Sequence, residues 1–372
     1  MKKALIFTYC RSYNFGANLQ GYSLQRFIRS LGWECKVIDI RTQAQIENRI
    51  PYRKDPRGLL LNIFTFLNQK KLMIGRSRFN AYHYDPEDRV KLPCANEDPD
   101  MAAMSLNPPA ADVYVVGSDQ VFSPLLISPL YFLDFDTKDT RCISYAASVG
   151  MDAIPEKVKP TITQYLKKFH ALSVREEQAY KQIQPLTQTP VQIHADPVIL
   201  TPRQLWEQEE CAYTPLVGKK YILAYFLYRP KGMNQYLKNL HKKTGLPVVL
   251  IDTNAFRNIY HQKQVLDAGP REFLWLFHHA EMVVTSSFHG TVFSMIYGKD
   301  FAVFNNPATP ARIDHVLRLF HMSNHWLPEG SPADPEALRM TAEERAHIAK
   351  VIETETERSE KYLLESMGGA QL

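Results

Sequence analysis

A histidine–glycine pair, His289-Gly290, stands between a predicted buried strand, Met282–Ser286, and a predicted short helix, Thr291–Tyr297. Ligands of open α/β sheets bind where the carboxyl end of a strand meets the start of a helix. Unpaired helix amides and the helix dipole favour an anion there, and Gly290 lets a phosphate approach the backbone. An imidazole at that point can also transfer a proton near neutral pH. The alternative is an ordinary turn that contains a histidine.

Two asparagines and a glycine follow the first predicted strand. The segment Tyr9–Gln20 contains Asn14, Gly16 and Asn18, which suit a turn that opens into a helix N-terminus. Amides at such a position can bind phosphate or sugar hydroxyls. A plain helix cap accounts for one asparagine, but less well for both asparagines and the glycine. The segment lacks the GxGxxG spacing of dinucleotide-binding folds.

A hydroxyl, a carboxylate and an amide follow another apolar strand, within the segment Val115–Phe122. They belong to Ser118, Asp119 and Gln120. Serine and aspartate are also common turn residues, whereas a glutamine before an apolar pair is less typical of a turn. The segment is therefore a second candidate for a site loop.

Arg175 follows the apolar strand Ala171–Val174 and begins a helix. Its guanidinium fits phosphate or carboxylate through two parallel hydrogen bonds and is always charged. A cation at a helix start is unfavourable with the helix dipole, which favours an anionic partner. The alternative is an ion pair with Glu176 or another nearby carboxylate. Four such loops in chain order, each at a strand end, together indicate one ligand site.

Strand-like and helix-like segments alternate along the chain, which is typical of parallel α/β sheets with crossover helices. We predict two Rossmann-like, doubly wound domains that face each other across a cleft. Residues 1–205 form the first domain with an insertion at 42–110, and residues 218–335 form the second. A polar linker, Thr201–Lys220, connects them, and a helix, Thr341–Ser366, ends the chain. The other predicted strands are Lys3–Thr8, Cys35–Ile40, Asp112–Val116, Arg141–Ala147, Val191–His194, Tyr221–Phe226, Val248–Ile251 and Phe301–Phe304, and the other helices are Ala17–Ser30, Glu156–Phe169, Met233–Lys243, Arg271–Glu281 and Ala311–Phe320.

The length of 372 residues favours two domains, and 45% hydrophobic with 22% charged residues is typical of a soluble globular protein. No apolar run approaches the length of a membrane span, and Ala4–Tyr9 fits a first strand rather than a signal peptide. The cysteines show no CxxC pairing, which argues against a disulfide framework or zinc site and suits the reducing cytoplasm. Adjacent helix positions face different ways, so we predict no metal at His278-His279. The five cysteines are Cys10, Cys35, Cys94, Cys142 and Cys211.

The net charge of +5 is concentrated between Arg49 and Arg78, where eight basic residues face one acid, Asp55. This window surrounds the apolar run Leu59–Leu67. A basic and apolar insertion of this kind can lie on an anionic membrane surface. The alternative is a helix packed into the core with solvated basic flanks. Nothing recognisable as a nucleic-acid reading motif accompanies the charge, so we predict no nucleic-acid partner.

The chain resembles the polysaccharide pyruvyl transferase family from about Lys3 to Leu319. The resemblance rests on seven segments that form a specific set in this order. It implies a two-domain glycosyltransferase-B fold whose C-terminal helix, 341–366, crosses back to the first domain. The segments are NFGANLQ (Asn14–Gln20), VVGSDQVF (Val115–Phe122), ISYAAS (Ile143–Ser148), SVREE (Ser173–Glu177), ADPVIL (Ala195–Leu200), GPREFLWL (Gly269–Leu276) and SSFHGTVFSMIYGKDF (Ser286–Phe301).

The resemblance implies transfer of the pyruvyl unit of phosphoenolpyruvate to two hydroxyls of one sugar, which leaves a pyruvate ketal and phosphate. It implies a sugar, oligosaccharide or lipid-linked glycan acceptor, and no cofactor beyond phosphoenolpyruvate as substrate. The residues that we assign on this basis fall into three groups. They are His289 and Asp119 for catalysis, Arg175, Ser287, Phe288, Gly290, Thr291 and Arg312 for the donor, and Asn14, Gly16, Asn18, Ser118 and Gln120 for the acceptor.

One position departs from the family pattern. Many members carry an arginine two places before the histidine, where this chain has Ser287, so another cation must serve the donor, and Arg312 is the candidate. Two other functions are open: a glycosyltransferase that uses a nucleotide-sugar donor, and a sugar- or phosphate-binding scaffold without catalysis. We expect a cytoplasmic protein, with peripheral contact at the inner face of the membrane through residues 49–78 as a further expectation.

Overall fold

A computed structural model describes residues 1–9, 13–39, 58–82, 89–91, 109–126, 129–255, 258–304, 310–328 and 330–368. These ranges hold thirteen strands and twelve α-helices. The strands are β1 Lys3–Phe7, β2 Glu34–Asp39, β3 Arg89–Lys91, β4 Val113–Val116, β5 Arg141–Ser144, β6 Leu172–Val174, β7 Val191–Ile193, β8 Ile222–Tyr225, β9 Val248–Ile251, β10 Lys263–Val265, β11 Met282–Thr285, β12 Asp300–Phe304 and β13 Trp326–Leu327. The helices are α1 Phe15–Ser30, α2 Gly58–Leu67, α3 Gln69–Ala81, α4 Lys159–Leu166, α5 Glu177–Ile183, α6 Pro197–Leu200, α7 Arg203–Glu209, α8 Met233–Thr244, α9 Pro270–His278, α10 Phe288–Ile296, α11 Pro310–Leu319 and α12 Ala342–Ser366.

The first half of the chain forms a parallel sheet with the strand order β3-β2-β1-β4-β5. Strand β4, with the sequence VYVV, is buried at all four positions, as expected for a parallel strand that is covered on both faces. Strands β6 and β7 form a separate parallel pair next to this sheet. Bridges between Ile143 and Ala171 and between Ala147 and Val174 join this pair to the region of β5.

The second half forms another parallel sheet with the order β10-β9-β8-β11-β12-β13. Its interior strands β8 (ILAY) and β9 (VVLI) are buried at all four positions. In each sheet the strand order reverses once, between β1 and β4 and between β8 and β11. Loops at the carboxyl ends of the strands diverge at such a reversal and leave a crevice for ligand. The two reversals place three of the four candidate site loops, those after β1, β4 and β11, at these crevices, whereas the loop with Arg175 follows β6.

The two halves are packed against each other through aromatic side chains. The ring of Phe15, at the start of α1, stacks on Phe273 of α9 with centroids 4.6 Å apart. The C-terminal helix α12 then returns to the first half, as predicted. Its Tyr362 hydroxyl donates to the Ser144 carbonyl at 2.8 Å, and the Tyr145 hydroxyl donates to Ser359 at 2.9 Å.

The predicted strands and helices are present, with boundaries within three residues; the predicted strand end Ile40 lies outside the described residues. Three short edge strands, β3, β10 and β13, were not predicted because each offers only two or three residues of pattern. The predicted linker, Thr201–Lys220, contains helix α7, whose Trp206 is completely buried. The segment is therefore a packed element of the interface rather than a solvated connection.

The basic insertion is described only in part, and Arg49, Arg53, Lys54, Asp55 and Arg57 lie outside the described residues, as do Cys10 and Cys94. Cys35 and Cys142 are buried and Cys211 is exposed, all as free thiols. Among the described helices, none combines the length and the apolar character that crossing a bilayer requires.

Candidate functional site

A cavity of about 290 Å³ opens where the loops after β1, β4, β8 and β11 meet helix α11. Both strand-order reversals therefore contribute to one space between the two halves. Seven predicted site residues line it: Asn14, Asp119, Gln120, Ser287, Phe288, His289 and Arg312. Its other lining residues are Tyr9, Ala17, Ser123, Leu125, Leu227, Ser286 and Ile313.

Helix α10 begins three residues earlier than predicted, at Phe288, because Ser287 is its N-cap. The Ser287 side chain accepts a hydrogen bond from the Gly290 amide at 3.3 Å, and its carbonyl accepts from the Thr291 amide at 2.9 Å. The amides of Gly290 and Thr291, which we expected to hold phosphate, are thus used within the helix. Those of Phe288 and His289, at the first two helical positions, are the groups that a helix start leaves for a ligand.

The missing Cβ of Gly290 serves the packing of α10 on the second sheet. A methyl group at this position would come within 2.3 Å of the Thr285 hydroxyl oxygen and 3.1 Å of the Tyr225 ring. Glycine is required here because α10 packs directly on the end of β11. The approach of a phosphate to Gly290 stays a prediction.

His289 is buried in the first turn of α10, between the two halves of the molecule. A methyl group on Gly16 of α1 would lie 2.0 Å from its Nδ1 atom, so the imidazole occupies the space that this glycine leaves. Its Nε2 atom lies 3.7 Å from a carboxylate oxygen of Asp196 and has no hydrogen-bond partner among the described residues. The ring, which belongs to the second half, is therefore held at the cavity wall by Gly16 and Asp196 of the first half.

Asp196 is the centre of a buried cluster behind His289. Its Oδ2 atom accepts from Arg175 Nη1 at 2.7 Å and lies 3.4 Å from the Ser118 hydroxyl oxygen, while Oδ1 caps α6 at the Val198 amide. Burial alone would raise the pKa of this carboxyl, but His289 and Arg175 together hold it below its usual range. Asp196 is therefore ionised and faces the imidazole.

Arg175 lies behind the cavity wall rather than in it. Besides Asp196, its guanidinium contacts Glu176 at 3.4 Å and stacks on the Phe288 ring, with the carbon of the guanidinium 4.4 Å from the ring centroid. Burial alone would lower the pKa of Arg175, but Asp196 and then Glu176 raise it. Arg175 is thus paired with carboxylates, which is the alternative that the sequence left open. The Phe288 ring lies against its guanidinium, so Arg175 would act on a ligand indirectly, by supporting Phe288.

Arg312 on α11 provides the cation that does line the cavity. With the amide oxygen of Gln120 turned towards it, this oxygen accepts from Nη1 at 2.6 Å and Nη2 at 2.9 Å. Burial and then the neighbouring Arg175 cation lower the pKa of Arg312 to about 10, so it is charged at neutral pH. The expectation that Arg312 replaces the missing arginine at Ser287 is consistent with this position.

The predicted acceptor residues Asn14, Asn18 and Ser118 and the predicted catalytic residue Asp119 divide into two groups. Asn14 caps α1 at the cavity edge, where its side chain accepts from the Ala17 amide at 3.4 Å. Asp119 also faces the cavity, in a left-handed backbone conformation with φ of 69°. Asn18 and Ser118 are buried: Asn18 donates to the Asn14 carbonyl at 2.8 Å and Ser118 to the Ala146 carbonyl at 2.7 Å. These two residues support the loops rather than face the cavity.

Sequence reasoning assigned no role to Asp196, although ADPVIL was one of the family segments. The available signal was an aspartate directly before Pro197, which is typical of a helix N-cap. A second residue without an assigned role is Glu176, which accepts from the Ser148 hydroxyl at 2.7 Å and supports Arg175.

A separate group of possible metal ligands lies outside the cavity. Ligand atoms of Glu210, His278 and His279 are within 4.8 Å of one another. Our argument that adjacent histidines face apart was wrong, because α9 ends at His278 and the two ring centroids are 4.7 Å apart. His278 Nδ1 is hydrogen-bonded to Glu210 at 3.0 Å, with Arg203 3.4 Å from its Nε2. The group is therefore explained by its internal hydrogen bonds and the adjacent cation.

The arrangement in the cavity is suited to a small anion that undergoes proton transfer. Helices α1 and α10 both direct their N-termini at it, and two positive dipole ends with Arg312 favour negative charge. The imidazole of His289, oriented by a carboxylate, is a group that can deliver or accept a proton. Asp119 adds a carboxylate on the opposite half.

A family model described as polysaccharide pyruvyl transferase matches residues 14–307. No curated protein matches the chain at a significant level.

Solved structures share the fold of this chain. The UDP-GlcNAc 2-epimerase from Methanocaldococcus jannaschii matches with a TM-score of 0.50 at 12% identity, over 96% of this chain and 93% of that one. The UDP-GlcNAc 2-epimerase from Neisseria meningitidis has a TM-score of 0.49 at 11% identity, over 98% and 99% of the chains. The glycosyltransferase SnogD from Streptomyces nogalater has a TM-score of 0.43 at 13% identity, over 98% and 99%. At these identities the similarity concerns the glycosyltransferase-B fold alone.

Proposed function

The chain belongs to the polysaccharide pyruvyl transferase family, and from this we propose that it transfers the pyruvyl unit of phosphoenolpyruvate to two hydroxyls of one sugar. The products are a pyruvate ketal and inorganic phosphate, and the acceptor is a precursor of a cell-surface polysaccharide. One observation supports this chemistry above all. His289, an imidazole faced by a buried carboxylate, lies in a cavity that two helix N-termini and Arg312 make favourable for an anion.

Phosphoenolpyruvate carries a phosphate and a carboxylate, so its site needs cations and N–H donors. In our proposal Arg312 supplies the cation, and the Phe288 and His289 amides at the start of α10 supply the donors. Ser287, where many family members have arginine, caps this helix instead. Such fixed donors stabilise the charge that develops on the leaving phosphate, without reorganisation during the reaction.

The first step is proton transfer from His289 to C3 of the donor, which converts the methylene to a methyl group and builds positive charge at C2. A sugar hydroxyl forms a bond to C2 and releases its proton to a base. A second hydroxyl of the same sugar then bonds to C2, and the bond from C2 to the phosphate oxygen breaks. The phosphate leaves with the bonding electrons, and the second hydroxyl proton balances its charge.

Asp119 is the proposed base for the first hydroxyl, because it is the carboxylate that faces the cavity from the half opposite His289. Asn14 and Gln120 orient the sugar from the same side through amide groups. Arg175 and Asp196 act indirectly: they hold Phe288 and His289 in place. In the proposed mechanism Arg312 and the two helix N-termini stabilise the negative charge of this donor.

The test is phosphate release from phosphoenolpyruvate in the presence of sugar acceptors. His289→Ala should reduce turnover by about a hundredfold or more, since the variant lacks the acid. His279→Ala, which removes an exposed histidine outside the cavity, is the matched control and should retain wild-type turnover. Wild-type turnover by the His289 variant would remove this residue from the chemistry.

A thermal-shift comparison of donors separates this proposal from the two other functions. Phosphoenolpyruvate should stabilise the wild-type protein, since a ligand that binds only the folded state raises its melting temperature. Stabilisation by a UDP- or GDP-sugar instead would indicate a glycosyltransferase. Stabilisation by phosphoenolpyruvate with no phosphate release for any acceptor would indicate a binding scaffold.

A further inference from the structure

Large apolar side chains are exposed on α2 and α3, two consecutive helices that are separated by Asn68 alone and that we refer to together as the hairpin. Phe66 and Leu67 are 66% and 71% exposed, and Ile63, Met73 and Ile74 are exposed as well. On α2, Ile63, Phe66 and Leu67 are spaced i, i+3, i+4 and so share one face. We call these five side chains the hairpin patch. The core-packing alternative for this apolar segment therefore fails for these side chains.

The hairpin is attached to the rest of the protein through the other face of α3. Leu72, Gly75 and Phe79 are buried there, and a methyl group on Gly75 would come within 2.7 Å of the Leu266 carbonyl oxygen. Arg78 reinforces this attachment through an ion pair with Glu272 at 3.2 Å. The hairpin is thus packed against the rest of the protein through one face, while the hairpin patch on its other side is exposed to solvent.

The charged residues within helices α2 and α3 are all basic. Lys70 and Lys71, at the junction of the two helices, are exposed, and residues 58–82 contain no aspartate or glutamate. Over Arg49–Arg78 the sequence has eight basic residues and one acid. Apolar side chains that insert at the lipid headgroups, with lysines at their margin, match an anionic bilayer in both hydrophobicity and charge.

We propose that the hairpin patch binds the surface of an anionic lipid bilayer. The hairpin also adjoins the cavity. The Phe79 ring lies 5.9 Å from Tyr13, the Arg76 guanidinium stacks on Tyr13 at 4.5 Å, and Tyr13 directly precedes the cavity residue Asn14. Membrane binding would bring the acceptor side of the cavity close to the bilayer. The acceptor class is then a lipid-linked glycan, a conclusion that rests on the proposed function as well.

Flotation with vesicles tests the membrane contact. Wild-type protein should float with phosphatidylcholine vesicles that contain phosphatidylglycerol, and less with phosphatidylcholine alone. Binding should weaken at high salt because the lysine contribution is screened. Absence of flotation with both vesicle types would overturn the proposal.

Matched variants separate the apolar and basic contributions. Phe66→Glu with Leu67→Glu should abolish flotation, whereas Tyr180→Glu with Val217→Glu, the same charge change at exposed positions outside the hairpin, should not. Lys70→Ala with Lys71→Ala should weaken binding by about tenfold or more. The adjacent exposed pair Lys242 and Lys243, changed in the same way, is the control.

Two further results would contradict the proposal. One is equal flotation of wild type and the Phe66/Leu67 variant. The other is concentration-dependent dimerisation by light scattering that the same variant removes, because the hairpin patch would then cover a second copy. Phosphate release with a water-soluble acceptor should be unchanged in the hairpin variants. Loss of flotation and loss of transfer are thus read out separately.

Discussion

At the scale of single residues, the central feature is an ionised carboxylate buried between an arginine and a histidine. Removing charges from water is costly, and a buried ion pair contributes little net stability when a hydrophobic group could replace it. Asp196 nevertheless contacts Arg175 at 2.7 Å and faces His289 Nε2 at 3.7 Å. We infer that the role of the cluster is to position His289: the carboxylate of Asp196 orients the imidazole towards the cavity.

Asp196→Asn tests this role. The amide keeps the size of the side chain but loses its charge, so His289 should be less well oriented and kcat for pyruvyl transfer should fall by about tenfold to a hundredfold. The KM for phosphoenolpyruvate should change much less, because Arg312 and the α10 amides are untouched. Steady-state kinetics measure the two constants separately.

Loss of a buried charge also lowers stability, so the Asp196 variant needs a control. Asp252→Asn removes another buried carboxylate, one that caps the Thr253 and Asn254 amides outside the cavity. It should lower the melting temperature without changing kcat. An Asp196 variant that remains folded and retains wild-type kcat would show that the carboxylate is structural only.

Residue types at strand ends were sufficient to predict residues that line the cavity. They were not sufficient to predict the buried residues behind its wall. His289, Asp119 and Arg312 could be selected because each follows or flanks a recognisable strand–loop–helix pattern. Asp196 could not, because its importance depends on contacts with residues 21 and 93 positions away. For the same reason Arg175 was assigned to the donor, although its partners keep it behind Phe288.

At the scale of elements, the site is formed by two helix starts that meet across the cleft. Helix α1 presents Gly16 at the second position of its first turn, and helix α10 presents His289 at the same position. The glycine leaves the space that the imidazole fills. The convergence concentrates two positive dipole ends on one cavity and fixes the imidazole ring between them.

Gly16→Ala should therefore damage the site although it improves the helix. Alanine is favoured over glycine within a helix by about 0.5–1 kcal/mol, but the added methyl group would lie 2.0 Å from His289 Nδ1. We expect overpacking of this kind to lower the free energy of unfolding by about 1–3 kcal/mol. Transfer activity should fall with it as the imidazole is displaced. Denaturant unfolding and phosphate release measure the two effects.

The His289→Ala background provides the control for this prediction. Without the imidazole the clash disappears, so Gly16→Ala should there be neutral or stabilising. The same destabilisation in both backgrounds would mean that the methyl group meets some other atom.

Elements with a long or strongly apolar pattern could be predicted, and those that depend on neighbours could not. Strands such as β8 and β11 are runs of buried residues that periodicity identifies directly. The start of α10 was displaced by three residues because Ser287 was interpreted as a motif position rather than as an N-cap. Strand β13, with two residues, exists through its pairing with β12.

At the scale of the whole molecule, α12 contacts both halves and so links them. Its first turns contact the second half through Arg345, which donates to the Gly298 carbonyl at 3.1 Å. Its last turns contact the first half through Tyr362, and Arg141 donates to the Ser366 carbonyl. The return of this helix could be expected only from the family resemblance, because its long polar pattern does not specify a partner.

The contact of α12 with the first half contains a buried histidine that should make the free energy of unfolding depend on pH. The Nδ1 atom of His194 is hydrogen-bonded to the Ser173 hydroxyl at 3.0 Å. The imidazole packs on the Tyr362 ring, with centroids 4.4 Å apart. Burial, and then the Arg358 cation, lower the pKa of His194 to about 4. In the unfolded chain a histidine titrates near its ordinary pKa of about 6.5. Between these two values the unfolded state binds a proton that the folded state does not.

Stability should therefore fall as the pH is lowered from about 6.5 towards 4, and by about 2 kcal/mol between pH 7 and pH 5 for this group. Denaturant unfolding at both pH values measures the difference. His194→Asn cannot take up the proton, so its free energy of unfolding should lose that part of the pH dependence, although its stability at pH 7 is lower. His279→Asn, at an exposed position, should keep the wild-type pH dependence. If the free energy of unfolding of the His194 variant decreases between pH 7 and pH 5 as much as that of the wild type, other groups cause the decrease. The contact of α12 with the first half would then not be sensitive to acid.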